Sequence, residues 1–336
     1  MRKGIEIGIY LCISFCFFYF LLSNIVLFIS QSSSLGVSAA FLRNFMQIQS
    51  PTLVTWQLKE SIVVPATSAR KCPYVNILDS HFVGKATVFV SHAYSYLVAD
   101  TFEVMLRYEE SHPNSFFWFD PFSLNQHSDT GVVDTATLEH AFGDNILSIG
   151  STLIVSSPWN DPCFLNRAWC LFELMTSINV KVPVEILVPH AQEQIFVKDL
   201  ANNFEVVYEA LARIDSRKAQ AREAKDLEAI NRAIERTATH AGLNIMANKA
   251  MRKWLLDTVL GEEIRLKQSG DDMKLRDFQY PSTIMLYELG DFIEGERMAR
   301  ECLLGCEERL GPDHSDTLAS VNSLAMLLQA QGSEAG

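Results

Sequence analysis

Polar and acidic side chains follow apolar runs at several points of the chain, as expected of residues that line a binding site. Ser91 and His92 follow the apolar run 86–90, and Asp120 follows a second run at 116–119. Glu173 lies in an apolar helical segment, with Trp169 about one helical turn before it. A carboxylate beside a sugar can stabilise the positive charge that develops when a glycosidic bond breaks. An indole ring can pack over a ring of the ligand.

The elements that must position these residues are predicted as alternating strands and helices. Short apolar runs predict strands, and helical spacing predicts the helices between them. The predicted strands are 86–90, 116–119, 153–155 and 184–188, and the predicted helices are 97–110, 134–148 and 166–179. Because the apolar runs are continuous, we expect a parallel sheet with helices on both faces. Ligands of such sheets bind at the carboxyl ends of the strands, where Ser91, His92 and Asp120 lie.

The C-terminal half is predicted to be helical. Residues 192–266 have helical periodicity almost throughout, with Gly242 expected to end one segment before a further helix. A break is expected at 268–272. Beyond it, Leu286-x-x-x-Gly290-Asp291 recurs as Leu328-x-x-x-Gly332-Ser333, a period of 42 residues. A period of this size is typical of helical repeats.

The composition excludes several classes of protein. Lys and Arg total 28 and Asp and Glu total 40, so the net charge of −12 argues against a duplex nucleic-acid binder. Seven cysteines in 336 residues do not indicate a disulfide scaffold. Hydrophobic residues make up 48 %, which is ample for a core and argues against wholesale disorder.

The N-terminus contains a long apolar segment. Residues 7–29 carry no charge and would span about 34 Å as a helix, enough for a bilayer core of about 30 Å. This segment predicts one membrane span, so we expect a membrane-anchored protein. The alternatives are a signal peptide or a wrongly included upstream start codon, and the latter would leave a cytoplasmic protein. Residues 31–80 are predicted to be a linker with one short helix around 39–45.

Residues 86–189 resemble a TIR domain, in the TIR-like branch found fused to repeats in protists. The resemblance depends on three stretches: Val88-Phe89-Val90-Ser91-His92-Ala93, Phe119-Asp120, and Arg167-Ala168-Trp169-Cys170-Leu171-Phe172-Glu173-Leu174. It implies an α/β flavodoxin-like fold and self-association through this domain. In the enzymes of this family the substrate is NAD, and the glutamate of the helix motif is catalytic.

That resemblance assigns the catalytic role to Glu173. Ser91, His92, Asp120 and Trp169 are then the expected substrate-binding residues. No metal and no cofactor are expected, NAD being a possible substrate. Many TIR domains only bind other proteins, so assembly without catalysis remains the alternative. A pair of Cys170 with His92 or His127 is a weaker alternative site.

Residues 281–336 resemble the tetratricopeptide repeats of kinesin light chains. The signature is Leu310-Gly311-Pro312-Asp313-His314-Ser315-Asp316-Thr317-Leu318 followed by Asn322-x-Leu324-Ala325. It implies a protein or peptide partner bound by the repeats.

Five regions are therefore predicted: a membrane or signal segment (1–30), a linker (31–80), a TIR-like domain (81–190), a helical extension (191–267) and partial tetratricopeptide repeats (275–336). The expected function is that of a signalling or scaffold protein that associates through the TIR-like domain and can hydrolyse NAD. The alternatives are an NAD glycohydrolase as the primary activity, or an adaptor of kinesin-light-chain type with a non-catalytic TIR-like domain.

Overall fold

The computed structural model describes residues 33–127, 135–202 and 205–334. These residues fall into two units, each assembled from separate stretches of the chain. The first unit runs to Ser157 and also includes Pro162–Pro189 and Asp215–Ala247. The second unit contains Pro158–Asp161, His190–Ile214 and the chain from Asn248 onward.

Six short strands form one mixed sheet in the first unit. They are β1 (Leu35–Ser38), β2 (Val83–Lys85), β3 (Val88–Ser91), β4 (Phe116–Phe119), β5 (Thr152–Val155) and β6 (Val184–Leu187). Their order across the sheet is β2-β1-β4-β3-β5-β6. The strands β4, β3, β5 and β6 are mutually parallel, which confirms the four predicted parallel strands. β1 runs antiparallel to both of its neighbours.

The longer helices are, in chain order, α1 (Ala39–Ile48), α2 (Val98–Ser111), α3 (Thr135–Ile149), α4 (Ala168–Asn179), α5 (His190–Asn202), α6 (Glu205–Ala212), α7 (Ala224–Thr237), α8 (Thr239–Ser269), α9 (Asp272–Leu289), α10 (Phe292–Leu310) and α11 (Ser315–Glu334). Short helical turns lie at Thr55–Leu58, Lys59–Val63, Val64–Thr67, Tyr74–Ile77, Ser80–Phe82, Asp120–Ser123, Cys163–Asn166 and Ser216–Lys218.

Apolar side chains cover both faces of the sheet because successive strand residues point to opposite faces. On one face, Phe119 of β4 packs against Phe102 of α2, with ring centroids 5.8 Å apart. On the other face, Phe89 of β3 stacks on Trp118 at 5.1 Å and contacts Phe142 of α3. The alternation that turns Phe89 toward α3 also turns Ser91 toward the helices of that face.

The expectation that 31–80 is a linker is wrong for its described part. Leu35–Ser38 pairs with β4 as a strand of the sheet, and the expected short helix is present as α1. Val37, Phe41 and Leu42 are buried in the same core as β3 and β4. The prediction missed the strand because four residues, one of them a glycine, give no detectable period.

The expected continuous helical region also needs correction. The chain leaves helical geometry between α6 and α7, around the short turn Ser216–Lys218. Gly242 does not end a helix but lies inside α8, which begins three residues earlier at Thr239. The break falls instead at Ala238 and Thr239, and Thr239 has a positive φ of 59°. A glycine lowers helix stability without stopping a helix whose other residues are packed.

Three successive helices of the second unit pack as an antiparallel series, with α10 against both α9 and α11. Gly290 ends α9 in the left-handed region at φ 78°, and the Asp291 side chain accepts a hydrogen bond from the Glu294 amide to cap α10. Leu286 is fully buried, whereas its counterpart Leu328 is 42 % exposed. Gly332, the counterpart of Gly290, remains inside α11.

No helix in the described parts of the chain is both long and apolar enough to cross a lipid bilayer. The segment 7–29, for which a membrane span was predicted, lies outside the described residues.

Gly36 tests whether β1 is an integral strand of the sheet. A Cβ at this position would lie 2.7 Å from the backbone of Phe117 in β4. We expect Gly36→Ala to lower the free energy of unfolding by about 1–3 kcal/mol, measured by urea denaturation. The control is Gly261→Ala in α8, where nothing lies within 4 Å, and it should be neutral or slightly stabilising. Equal stability of wild type and Gly36→Ala would contradict the pairing of β1.

Candidate functional site

The candidate site begins with a hydrogen bond between the end of β3 and α4. Ser91 Oγ donates to Glu173 Oε2 over 2.6 Å. Ser91 is only 1 % exposed, and Glu173 is partly buried. β3 lies between β4 and β5, so the chain leaves it toward one side for β4 and reaches β5 on the other. In parallel sheets, the usual ligand crevice lies at the carboxyl ends of two adjacent strands whose connections run to opposite sides of the sheet.

The carboxyl group of Glu173 is held in an environment that favours its neutral form. Burial raises the pKa of Glu173 to about 8, and the nearby charge of Asp120 acts in the same direction. The hydrogen bond from Ser91 and the positive charge of Arg167 both oppose this rise. The Glu173 carboxyl group is therefore mostly protonated at pH 7.

Asp120 forms a second carboxyl group of the same site. Tyr94 donates a hydrogen bond from its hydroxyl to Asp120 Oδ2 over 2.5 Å. Burial raises the pKa of Asp120 to about 6, against the opposing effects of Tyr94 and Arg167. Asp120 is thus mostly ionised at neutral pH, whereas Glu173 is mostly protonated. Two carboxyl groups with such different protonation are a common feature of catalytic sites.

His92 lies beside Asp120 but remains uncharged. Its Nδ1 is 3.5 Å from Asp120 Oδ1, and its ring packs on that of Phe119 at 4.5 Å. Burial and the charge of Arg167 lower the pKa of His92 to about 3. The contact is consequently one between a neutral imidazole and a carboxylate, not an ion pair.

The alternative of a reactive thiol is not favoured. Burial raises the pKa of Cys170 to about 12, and its thiol donates to the carbonyl oxygen of His92 at 3.3 Å. Such a thiol supplies no thiolate nucleophile at neutral pH. His127 lies elsewhere, with Nε2 2.7 Å from Thr67 Oγ1. In the described stretches, no group of three or more metal-binding side chains is present.

Trp169 has a different environment from the other predicted site residues. Its ring lies against Phe142 of α3 at 5.8 Å and against Phe172 at 6.2 Å. The structure therefore brings Ser91, His92, Asp120 and Glu173 together and places Trp169 in an aromatic group between α3 and α4.

Two residues of the site were not predicted from the sequence. Tyr94 holds Asp120, and Arg167 acts electrostatically on His92, Tyr94, Asp120, Cys170 and Glu173. Arg167 directly precedes α4 and is part of the motif that contains Glu173. This position next to the start of the helix is the signal that could have identified it.

The second unit contains a separate candidate binding surface, which we call the basic groove. It has a volume of about 800 Å³ and is lined by Lys249, Arg252, Lys253, Leu256, Phe292 and Ile293, among others. Arg252 donates to the carbonyl oxygens of Glu288 and Leu289 at the end of α9. Ile293 is 76 % exposed. The groove thus combines positive charge with accessible apolar surface.

The last described helix, α11, exposes an apolar stripe. Leu318, Val321 and Leu328 are each more than 40 % exposed and recur at spacings of three and seven residues, which places them on one side of the helix. Close contact on its packed side is possible because Gly295 of α10 leaves room for Leu327. Contiguous exposed apolar side chains of this kind are typical of protein-binding surfaces.

Comparison with known protein families finds a match in the second unit. The tetratricopeptide repeat family matches residues 283–316, which cover the end of α9, all of α10 and the start of α11. This match supports the predicted repeats and a protein-binding role. No curated protein and no solved structure matches the chain.

The raised pKa of Glu173 has a consequence for stability. The pKa in the folded protein is about 8, above the ordinary value of 4.5, so the folded state binds this proton more tightly than the unfolded state. The contribution of the protonated Glu173 to the free energy of unfolding is fully present below pH 4.5 and is lost as the pH rises through 8. We expect Glu173→Gln, which keeps an oxygen to accept from Ser91, to raise the free energy of unfolding at pH 9 by on the order of 1 kcal/mol or more.

The measurement is thermal unfolding of both proteins between pH 4.5 and pH 9. The gain in melting temperature of Glu173→Gln should shrink toward pH 4.5, where the wild-type side chain is neutral as well. A gain that does not depend on pH would show that Glu173 does not titrate as described.

Proposed function

We propose that the chain is a signalling or scaffold protein whose second unit binds a protein partner. The tetratricopeptide repeat match over 283–316 is the observation that carries this proposal. The exposed apolar stripe on α11 and the basic groove support it, because both offer surface that a partner could cover.

The basic groove favours an acidic segment with a large apolar side chain. Lys249, Arg252 and Lys253 line it together with one carboxylate, Asp291, whose side chain caps α10. Lys253 also forms an ion pair with Asp257, so three cations against two carboxylates leave a small net positive charge. In a chain of net charge −12, this local positive charge selects acidic partners over basic ones. Ile293 and Phe292 provide the apolar contact at the same place.

A charge reversal tests the groove. We expect Lys249→Glu/Lys253→Glu to weaken binding of a fluorescent peptide of alternating Glu and Leu about tenfold or more, measured by anisotropy at fixed salt. A peptide with Lys in place of Glu should bind the wild type weakly. The matched control, Lys218→Glu/Lys225→Glu, changes the net charge equally and lies in the first unit. Equal losses in both double variants would indicate an effect of net charge alone.

We propose as a second function that the first unit cleaves NAD, as enzymes of the TIR family do. The order β4-β3-β5-β6 agrees with the first four strands of a flavodoxin-like sheet, which supports a TIR-like domain. The hydrogen bond between Ser91 and Glu173, at the point where this strand order reverses, is the observation that carries the proposal. Self-association of this unit would bring several such sites together in one assembly.

The reaction requires little acid catalysis. When the bond from ribose C1′ to the nicotinamide nitrogen breaks, the bonding electrons stay on the nitrogen and nicotinamide leaves as a neutral molecule. Water then adds to C1′ and loses a proton to solvent, which yields ADP-ribose. An ionised Glu173 stabilises the positive charge on the ribose during this step. Because most Glu173 side chains are protonated at pH 7, only the small ionised fraction supports the reaction at this pH.

The pH dependence follows from this argument. We expect nicotinamide release to rise as the pH passes through about 8, the pKa of Glu173. Ser91→Ala removes a hydrogen bond that lowers this pKa, so its profile should shift to higher pH. Glu173→Gln should lose about a hundredfold or more of the activity while remaining folded. Nicotinamide is measured by chromatography, with and without induced clustering of the protein.

Two outcomes would contradict the enzymatic proposal. Wild-type protein that releases no nicotinamide at any pH, even when clustered, would leave only the protein-binding function. Activity that is unchanged in Glu173→Gln would remove the assigned role of the carboxyl group. Neither result would affect the proposal for the basic groove, because the groove belongs to the other unit.

A further inference from the structure

Two buried polar atoms beside α4 have no hydrogen-bond partner among the described residues. They are the Oγ of Ser156 and the Nε of Arg167. Buried polar groups are nearly always hydrogen-bonded, so two such atoms next to one candidate site point to a bound group. The Nε2 of His92 is a third unpartnered atom of the site, and its ring packs on Phe119 at the end of β4.

The sheet places Ser156 on the face that bears the site. Ser91 is in register with Ile154 of β5, and side chains alternate along a strand, so Ser156 shares the face of Ile154 and Ser91. The amide of Ser156 continues the sheet ladder by donating to the carbonyl oxygen of Leu187. Ser156 is completely buried and directly follows β5.

Arg167 occupies the N-cap position of α4. Its backbone is extended, and no side chain caps the helix there. The amide of Ala168, the first of α4, donates to the carbonyl oxygen of Gln220. The amides of the next residues and the partial positive charge of the helix N-terminus remain, and this site adds a guanidinium group to them. All of these are hydrogen-bond donors, as is a serine hydroxyl. Their natural common ligand is an oxyanion with several acceptor oxygens.

We propose that Ser156, Arg167 and the first turn of α4 bind a phosphate group of the ligand. The inference rests on the proposal that this edge of the sheet binds a nucleotide substrate, and it assigns the diphosphate of that substrate to these donors. The ribose next to the diphosphate would then lie toward Glu173, which is within two helical turns of Arg167 on α4. A carboxylate ligand has two oxygens in one plane and satisfies fewer of the donors.

Binding of small probes to the full chain tests the proposal. Isothermal titration at pH 7 should show binding of ADP and of inorganic pyrophosphate, but not of adenosine, which lacks a phosphate. Arg167→Met should weaken ADP binding about tenfold or more, and Ser156→Ala about threefold or more. Arg213→Met is the control, because Arg213 is exposed and pairs with Glu209 on the same helical turn. Ser156→Ala, a nearly isosteric change, keeps the test valid if Arg167→Met does not fold.

Some outcomes overturn the inference and others only the enzymatic proposal. The inference would be overturned if Ser156→Ala and Arg167→Met both bound ADP as tightly as the wild type. It would also be overturned if adenosine bound as tightly as ADP. If both variants cleaved NAD with an unchanged KM, the phosphate site would be overturned as well, but the enzymatic proposal would stand. If both variants lost ADP binding and the wild type did not cleave NAD, the phosphate site would be supported and the enzymatic proposal contradicted.

Discussion

The candidate site depends on one hydrogen bond, from Ser91 at the end of β3 to the carboxyl group of Glu173 on α4. An acidic side chain in an otherwise apolar helix is costly to bury unless it has a partner. Ser91 supplies that partner because the pleat of β3 turns it toward the same face as Phe89. The sheet and the helix are thus joined by a polar contact at the end of a parallel strand, and the remaining groups of the site lie around it.

Two opposing influences set the charge of this site. Burial favours the neutral forms of Glu173 and Asp120, whereas Arg167 favours their ionised forms. The hydroxyl of Tyr94 also stabilises the ionised form of Asp120, so this carboxyl group ionises at a lower pH than Glu173. One cation next to two carboxyl groups of unequal pKa leaves the site close to neutral at pH 7.

Much of the fold of the first unit could be predicted from the sequence because its central strands are continuous apolar runs. The approach of Ser91, His92 and Asp120 followed from the same prediction, since the carboxyl ends of parallel strands share one edge. The place of Glu173 beside them was expected only from the resemblance of its helix motif. Tyr94 and the aromatic environment of Trp169 could not be predicted, because both depend on how loops and neighbouring helices pack. β1 was missed for a related reason: its four residues acquire their conformation only by pairing with β4.

The chain passes from one unit to the other five times between its first and last described residues. Neither unit is therefore a contiguous gene segment that recombination could move intact to another protein. During synthesis, the first unit cannot be completed until Ala247 has left the ribosome, although its central strands emerge much earlier. The first unit must remain incomplete while residues of the second unit are already being translated, a period in which chaperones would have access to its uncovered apolar surface.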